Sequence, residues 1–278
     1  MTDTKKDAAA TPADSKTWEH STHEEFYGYY AQESLSPQTV ERFRRQRDLI
    51  LSVPTLRRDS PLDVADIGCG AGTLAMTWAE TGQRVRGLDV NGPLIELAKK
   101  RAAEASLQVE FFLGSATDVP WESESVDVCF APELLEHVAD WQSCLNEFTR
   151  ILRPGGALFL STTNKLCPRQ QEFKLPLYSW YPGFLKRHYE RLSLTTRPEI
   201  ANYAKYPAVN WFTYYSLRKA LAERGFGAFH DRFDLAALRD NGALKNTVLG
   251  LVRALPPLRF LGHVLTEGTT ILAIKGKN

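Results

Sequence analysis

The stretch VADIGCGAGTLA, from Val64 to Ala75, decides the fold. Gly68, Gly70 and Gly72 occupy alternate positions directly behind an apolar run. Glycine has no Cβ and tolerates positive φ, so a loop of this kind lets a ligand come very close to the main chain. Between a strand and a helix, the pattern predicts a βα turn that binds a small molecule.

Short apolar runs alternate with helical patterns from this stretch onward. Strands separated by helices predict βα units and a parallel sheet that is covered on both faces. We therefore predict an α/β protein with a doubly wound, mostly parallel, seven-stranded sheet, N-terminal helices and an inserted lid. The predicted boundaries are a disordered tail at 1–17, a helical cap at 18–60, and a main domain at 61–278 with an insertion at 165–210.

Charge and cysteine content exclude several classes of protein. The 278 residues include 34 basic and 33 acidic ones, for a net charge of +1, so we expect no nucleic-acid partner. The four cysteines are far apart and form no CxxC pair, which favours reduced, buried thiols. The polar N-terminus has no secretory h-region, and no apolar run approaches the ~20 residues of a membrane span. We expect a cytoplasmic protein, peripheral to a membrane at most.

Two acids accompany the glycines. Asp66 lies two residues before Gly68, and Asp89 ends the next predicted strand, 21 residues after Gly68. An acid at the latter position suits the hydroxyls of a ribose. The third glycine of the dinucleotide pattern GxGxxG is replaced by Thr73, which disfavours a nicotinamide enzyme. A structural turn in an unrelated α/β protein remains an alternative.

The segment DVADIGCGAGTLA followed by VRGLDVN resembles the class I S-adenosylmethionine-dependent methyltransferases, over roughly Leu62 to Thr163. The resemblance implies a Rossmann-like methyltransferase fold and S-adenosylmethionine as cofactor. It also implies that the glycines line the methionine and ribose, that Asp66 faces the amino group and that Asp89 binds the ribose.

Two further cofactor contacts are expected. Many family members have an acid after the third strand that binds the adenine amino group, but this chain has Ser115 there. Adenine recognition would then fall to Ser115, to backbone groups or to Asp118. The basic run before the first strand could supply a guanidinium for the cofactor's carboxylate, with Arg47 the first candidate and Arg44 the second; a solvated helix face is the alternative.

A second motif, APELLEHVADW, follows the fourth predicted strand, at the edge where ligands bind in such sheets. Glu133, Glu136 and His137 have the spacing i, i+3 and i+4, which would put them on one face of a helix. They could form an acid/base cluster, with His137 and Glu136 catalytic, or a divalent-metal site. A structural or substrate-orienting role is the alternative.

The run ELLEHV, with LRPGGALFLSTTNK after it, is similar to the O-methyltransferases of ubiquinone biosynthesis. That resemblance implies a catechol-like acceptor and a divalent metal such as Mg²⁺ on Glu133, Glu136 and His137. A metal that held both catechol oxygens would lower the pKa of the hydroxyl. The first 60 residues and those after Lys165 do not match that family closely.

Two regions combine apolar and basic residues. The insertion alternates aromatic with basic residues and could form a substrate lid or contact a membrane surface. The segment ALKNTVLGLVRALPPLRFLGHVL has leucines and valines at helical spacing and could also contact a membrane; a helix packed on the sheet or on a partner subunit is the alternative.

The leading hypothesis is an S-adenosylmethionine-dependent enzyme that methylates an oxygen of a small hydrophobic acceptor, such as a catechol-type quinone precursor. The alternatives are a methyltransferase that acts on a sugar or another metabolite, and a cofactor-binding subunit without catalysis. The sequence does not indicate an oligomeric state.

Overall fold

A computed structural model describes residues 34–53, 56, 60–202, 204, 206–238 and 242–277 of the chain. The predicted tail at 1–17 and the first part of the predicted helical cap lie outside the described residues. The described part of the cap is one helix, α1 (Pro37–Leu51), whose N-cap Ser36 accepts a hydrogen bond from the backbone N–H of Thr39. This helix packs against the helix that follows the glycine loop.

A seven-stranded sheet with the order β3-β2-β1-β4-β5-β7-β6 forms the centre of the molecule. The first five strands run parallel, and β7 pairs antiparallel with both β5 and β6. The predicted doubly wound, mostly parallel sheet is therefore confirmed. The strands are β1 (Asp63–Ile67), β2 (Arg84–Asp89), β3 (Val109–Leu113), β4 (Val126–Pro132), β5 (Leu152–Thr163), β6 (Phe226–Asp231) and β7 (Gly268–Lys275).

Helices cover both faces of this sheet. In β1, Val64 belongs to one buried cluster, with Trp78 of the helix after the glycine loop. Its neighbour Ala65 belongs to the other cluster, with Phe148 of the helix between β4 and β5. Because successive side chains of a strand point to opposite faces, this split shows that both faces are buried. The remaining helices in chain order are α2 (Thr73–Ala79), α3 (Gly92–Glu104), α4 (Trp141–Ile151), α5 (Gly183–Thr195), α6 (Tyr214–Ala222), α7 (Arg232–Ala237), α8 (Ala243–Ala254) and α9 (Pro256–Val264).

The insertion at 165–210 has a small core of its own. Phe173 stacks on Tyr178 with ring centroids 4.1 Å apart, and both are buried with Ile200. The Nζ of Lys186 donates to the Ser179 carbonyl at 2.9 Å, beside these rings. The insertion is therefore a packed substructure built around α5.

The end of the chain differs from its predicted elements in two places. The sequence also predicts a strand at AFHDRFDL, but the observed strand stops at Asp231, whose carboxylate caps α7 by accepting from the N–H groups of Phe233 and Asp234. The long apolar segment is two helices, because Pro256 has no N–H to continue α8. Among the described helices, none is both long and apolar enough to span a bilayer.

Candidate functional site

The glycine loop lies where the order of the sheet reverses, between β1 and β4, which is where ligands bind in open α/β sheets. The N–H groups of Gly68 and Cys69 both donate to the Leu88 carbonyl, at 2.8 and 3.1 Å, and so fasten the loop to β2. Gly68 has φ +75°, and a Cβ there would come within 3.1 Å of Leu134 Cδ1. Glycine at this position lets the loop after β4 approach the loop after β1.

Gly72 has a different environment from Gly68. Its φ is +78°, and a Cβ would lie 2.8 Å from both Ala98 Cβ and Phe111 Cζ. Gly72 lies outside the linings of both cavities described below, so its absent side chain lets α3 and β3 pack close to the loop. Gly70 contributes its N–H, which donates to Asp89 Oδ2 at 2.8 Å.

A cavity of about 340 Å³, the Asp89 cavity, opens at the ends of β2 and β3. The other oxygen of Asp89 accepts from the N–H of Asn91 at 2.8 Å, so the carboxylate is held by the backbone on both sides. Ser115 also lines this cavity, where its hydroxyl lies 2.8 Å from that of Thr117. The Asp89 carboxylate and the Ser115 hydroxyl thus line the same cavity, and Leu134 and other apolar groups form much of its remaining wall.

A second cavity of about 560 Å³, the Asp66 cavity, lies beside the first. Gly68 and His137 line both cavities, so the two are halves of one continuous site. Burial, with a further contribution from the charge of Asp89, raises the pKa of Asp66 to about 8. Asp66 Oδ2 is buried and has no hydrogen-bond partner.

The loop from Glu133 to Asp140 is a series of turns and contains no helix. Glu133 has φ +50°, so the chain turns sharply right after β4 and the expected shared helical face does not form. The prediction of one helical face for Glu133, Glu136 and His137 is therefore wrong. The backbone N–H of Glu133 donates to the Ser161 carbonyl at 2.8 Å, which anchors this turn to β5.

His137 lies at the junction of the two cavities. Burial lowers the pKa of its ring, although hydrogen bonding to the backbone at Tyr206 and Pro207 acts in the opposite direction. Its Nδ1 is buried and has no hydrogen-bond partner. A neutral imidazole with a free ring nitrogen at a cavity junction is suited to accept a proton from a bound hydroxyl.

The two glutamates of the motif have different surroundings. Glu133 lines the Asp66 cavity and accepts from the Ser161 hydroxyl at 2.5 Å. Glu136 is fully buried and accepts from the Thr162 hydroxyl at 2.9 Å; burial, with the nearby charge of Glu133, raises its pKa well above the ordinary value. Glu136 lines neither cavity, so it lies behind the site.

These residues do not fit the predicted metal site. In the part of the chain that the structure describes, no three side chains of His, Cys, Asp or Glu are grouped so that they could hold a metal ion. Of the three predicted ligands, Glu133 and His137 line the Asp66 cavity, whereas Glu136 is buried outside it. The metal hypothesis therefore has no structural support here.

The chain returning from the insertion braces this loop. The side-chain amide of Asn210 donates to the carbonyls of Leu135 and Val138, at 2.9 and 2.7 Å. The backbone N–H groups of Val209 and Asn210 both donate to the carbonyl of Glu136. The position of His137 therefore depends on residues about 70 positions later in the chain.

The helix before β1 places a different arginine at the site from the two expected. Arg47 is buried and donates to the Thr77 carbonyl at 2.5 Å, while Arg44 pairs with Glu80. Both residues fasten α1 to α2, and neither lines the Asp66 cavity or the Asp89 cavity. Arg42 lines the Asp66 cavity instead.

Three other polar groups at the Asp66 cavity were not foreseen from the sequence. Gln46 and Thr73 line it with their buried oxygens Oε1 and Oγ1 unpartnered, and Arg232 lines it with its buried Nε unpartnered. Together with Asp66 and His137, five residues that line this cavity have a buried polar atom without a hydrogen-bond partner. Buried polar groups are normally paired, so this concentration indicates a binding site for a polar ligand.

Residues 65–160 match the family model described as a methyltransferase domain. One curated relative, named ubiquinone biosynthesis O-methyltransferase, from Xanthomonas oryzae pv. oryzae (strain PXO99A), is 38% identical over 103 residues. The match covers 37% of this chain and 43% of that protein, so the chain spans less than half the length of the relative.

The solved structures similar to this one share its fold. An S-adenosylmethionine-dependent methyltransferase from Mesorhizobium loti superposes with a TM-score of 0.55 at 17% identity, over 85% of this chain and 100% of that one. The [4+2]-cyclase SpnF superposes with a TM-score of 0.51 at 18% identity, over 84% and 81%. Both comparisons concern the fold, and the second shows that it serves more than one reaction.

These comparisons confirm the predicted resemblance to the S-adenosylmethionine-dependent methyltransferases, whose methyltransferase domain matches residues 65–160 of the chain.

Proposed function

We propose that the protein is an S-adenosylmethionine-dependent methyltransferase that methylates an oxygen of a small hydrophobic acceptor, with a catechol-type quinone precursor favoured. The observation that carries the proposal is the set of unpartnered buried polar atoms around the Asp66 cavity, which is continuous with the Asp89 cavity. The name of the relative from Xanthomonas oryzae supports the acceptor class.

The residues present fit the cofactor in both halves of the site. The unpartnered oxygen of Asp66 suits an ammonium group, and Arg42 suits a carboxylate. Each oxygen of Asp89 accepts one backbone hydrogen bond, at 2.8 Å, and has a second lone pair for a ribose hydroxyl. Ser115 and the apolar wall near Leu134 suit the edge and the face of an adenine.

When bound, S-adenosylmethionine supplies an electrophilic methyl group. The chain must hold the acceptor oxygen in line with that group and remove its proton. We assign the removal of this proton to His137. Its Nδ1 has no hydrogen-bond partner, and burial keeps its ring neutral. Glu136 lies behind this loop, and we assign it a positioning role through its hydrogen bond with Thr162.

Turnover tests this proposal directly. We expect the purified protein to produce S-adenosylhomocysteine with at least one member of a panel of substituted catechols. His137→Gln should reduce kcat by about 100-fold while calorimetry shows unchanged binding of S-adenosylhomocysteine. The matched control is His188→Gln, on the exposed surface of α5. Cofactor binding without turnover on any catechol would instead support a non-catalytic subunit.

A second assignment concerns the cofactor alone. Asp89→Ala should weaken S-adenosylhomocysteine binding by about tenfold or more, because a charge-assisted hydrogen bond to the ribose is lost. Glu110→Ala, on neighbouring strand β3, is the control. Equal affinity of the Asp89 variant and the wild type would overturn the ribose assignment.

We further propose that the protein is cytoplasmic and contacts a membrane through α8 and α9. Large apolar side chains are exposed along both helices, from Leu244, 81% exposed, to Leu265, 71% exposed. Contiguous exposed apolar surface of this kind indicates a partner or a bilayer. Residues 242–266 contain no acid, and their Lys245 favours an anionic lipid surface, while Arg253 and Arg259 pair with Asp234 and Asp231.

Vesicle flotation tests this contact. We expect the protein to float with phosphatidylcholine vesicles that contain phosphatidylglycerol, and the double variant Leu244→Glu/Leu251→Glu to remain unbound. Leu194→Glu, at an exposed leucine of α5, is the matched control. Failure of the wild type to float, with a dimer in solution that the double variant abolishes, would assign the surface to a second copy of the chain.

A further inference from the structure

Arg232 lines the part of the Asp66 cavity that lies toward the β6 edge of the sheet. It directly follows β6, an edge strand, and lines the cavity together with Ser161 of β5 and Thr270 of β7. The glycine loop and α1, which carry the residues suited to the cofactor, lie toward the other side, beyond β4. Arg232 thus lies on the side of the cavity that remains for the acceptor.

Arg232 is a half-buried residue whose guanidinium is not paired with any residue that the structure describes. Its Nε is buried without a hydrogen bond, and no ion pair among the described residues includes Arg232. Burial lowers the pKa of the group, but a guanidinium stays charged in proteins. The acids whose charges act on Arg232 are Asp231 and Glu133, and neither forms an ion pair with it.

Neighbouring acids are already engaged. The carboxylate of Asp231 accepts from Arg259 at 2.7 Å and from the backbone N–H of Phe233, and it lies 3.0 Å from His263 Nε2. Glu133 accepts from Ser161. The counter-charge for Arg232 is therefore best supplied by a ligand.

We propose that the acceptor carries a carboxylate and that Arg232 binds it. The inference rests on the proposed function, because it takes the Asp66 cavity to hold the acceptor next to the cofactor. A planar carboxylate matches the fork of a guanidinium. A singly charged group also suits a cavity that contains Asp66 and Glu133, which would repel a phosphate dianion.

Two catechols, one with and one without a carboxylate, distinguish this contact from general binding of the acceptor. We expect calorimetry on protein saturated with S-adenosylhomocysteine to show tighter binding of 3,4-dihydroxybenzoate than of neutral 4-methylcatechol. Arg232→Met should weaken the benzoate by about tenfold or more and leave 4-methylcatechol unchanged. Arg232→Lys, which keeps the charge without the fork, should weaken it less. Arg191→Met, at an exposed arginine of α5, is the control.

The outcomes distinguish the two proposals. If both catechols are methylated equally well and Arg232→Met affects them equally, the carboxylate contact is overturned and the methyltransferase proposal stands. If Arg232→Met weakens S-adenosylhomocysteine instead, the residue binds the cofactor and the contact is again overturned. If S-adenosylhomocysteine does not bind the wild type, both proposals fail.

Discussion

Asp66 combines complete burial with a position at the proposed ammonium site. Its pKa, raised to about 8 by burial and by Asp89, leaves the carboxyl largely protonated at neutral pH in the free protein. A bound ammonium group stabilises the ionised form and lowers that pKa. Cofactor binding and proton release are therefore linked at this residue.

The first prediction follows from this linkage. Because the ligand selects ionised Asp66, affinity for S-adenosylhomocysteine should rise roughly tenfold per pH unit below about pH 8. Calorimetry in two buffers with different ionisation enthalpies should show proton release on binding. Asp66→Asn should bind more weakly and lose most of the pH dependence. A wild-type affinity that is flat between about pH 6 and 8 would contradict the raised pKa.

Substitutions at two glycines with the same backbone conformation distinguish the cost of backbone strain from the cost of a steric clash. Gly72 and Gly82 have φ of +78° and +77°, but a Cβ at Gly72 would meet Ala98 and Phe111 at 2.8 Å, whereas one at Gly82 would meet nothing within 4 Å. We predict that Gly82→Ala lowers the free energy of unfolding by about 1 kcal/mol. Gly72→Ala should cost about 1–3 kcal/mol more, measured by urea denaturation. Equal losses would show that φ alone requires glycine at position 72.

At the scale of single residues, the site residues that are close in sequence could be predicted from their spacing. Those that meet only through the tertiary fold could not. Asp66, Gly68 and Asp89 lie within 24 residues, and their spacing is set by one βα unit, so sequence alone indicated their common site. Arg42 and Arg232 are 190 positions apart and meet only through the tertiary fold. No periodicity marks either residue, which is why the sequence indicated Arg47 and Arg44 as candidates and not Arg42.

Among the secondary-structure elements, the loop after β4 shows how one residue redirects a motif. The spacing of Glu133, Glu136 and His137 suits a helix, but helix formation begins only after Asp140, which caps α4 by accepting from the N–H of Ser143. Eight residues of turn remain, from 133 to 140. Long-range hydrogen bonds decide the shape of such a segment, and helical spacing alone does not predict them.

Asn210 makes two of those hydrogen bonds. We predict that Asn210→Ala lowers the free energy of unfolding by about 1–3 kcal/mol, because the carbonyls of Leu135 and Val138 lose their donor. It should also lower kcat more than it changes the affinity for S-adenosylhomocysteine, since the loop carries His137. Asn146→Ala, whose side chain accepts from Arg224 on the surface, is the control. An unchanged kcat would show that the loop keeps its shape without this brace.

Some signals for the last elements were present in the sequence. The pair Asp231 and Asp234 has the spacing of a capping box, and it marks the start of α7 inside a segment predicted as strand. Pro256 and Pro257 likewise mark the break between α8 and α9. Apolar periodicity across both segments masked these local signals.

For the whole molecule, the strand pattern predicted the architecture because each parallel strand is a short apolar run between helices. The order of the sheet follows from the usual doubly wound connections, and it places the ends of β1 and β4 side by side. The shape of the acceptor side could not be predicted in the same way. It depends on how Arg232, Glu133 and the return from the insertion come together, and each lies in a separate segment.

An ion-pair cluster joins β6, α7, α8 and α9 beside that region. Asp231 is fully buried, which alone would raise its pKa, but hydrogen bonds from His263 and Arg259 lower the pKa well below its ordinary value. Asp234 accepts from Arg253 at 2.9 Å and also pairs with Arg259. The exposed helices are therefore attached to the sheet partly through charge.

This attachment predicts a pH-dependent loss of stability. Because the folded pKa of Asp231 lies below the unfolded one, its contribution is complete above about pH 4 and is lost as the pH falls through the folded value. Asp231→Asn should lower the free energy of unfolding at pH 7 by about 3 kcal/mol, and the difference from wild type should become smaller as the pH falls from about 4 to about 2. Glu41→Gln, in an exposed ion pair with Arg45, should cost under about 1 kcal/mol. A constant difference at both pH values would contradict the assigned ionisation.

The brace between Asn210 and the loop around His137 also has a consequence for biosynthesis of the chain. On a ribosome, the glycine loop and Asp89 emerge long before Asn210, and the glycine loop closes through contacts of short sequence separation. The loop around His137 must wait for a contact 75 residues downstream. The contacts of the glycine loop with Asp89 can therefore form at a shorter length of the growing polypeptide than the contacts that fix the loop around His137.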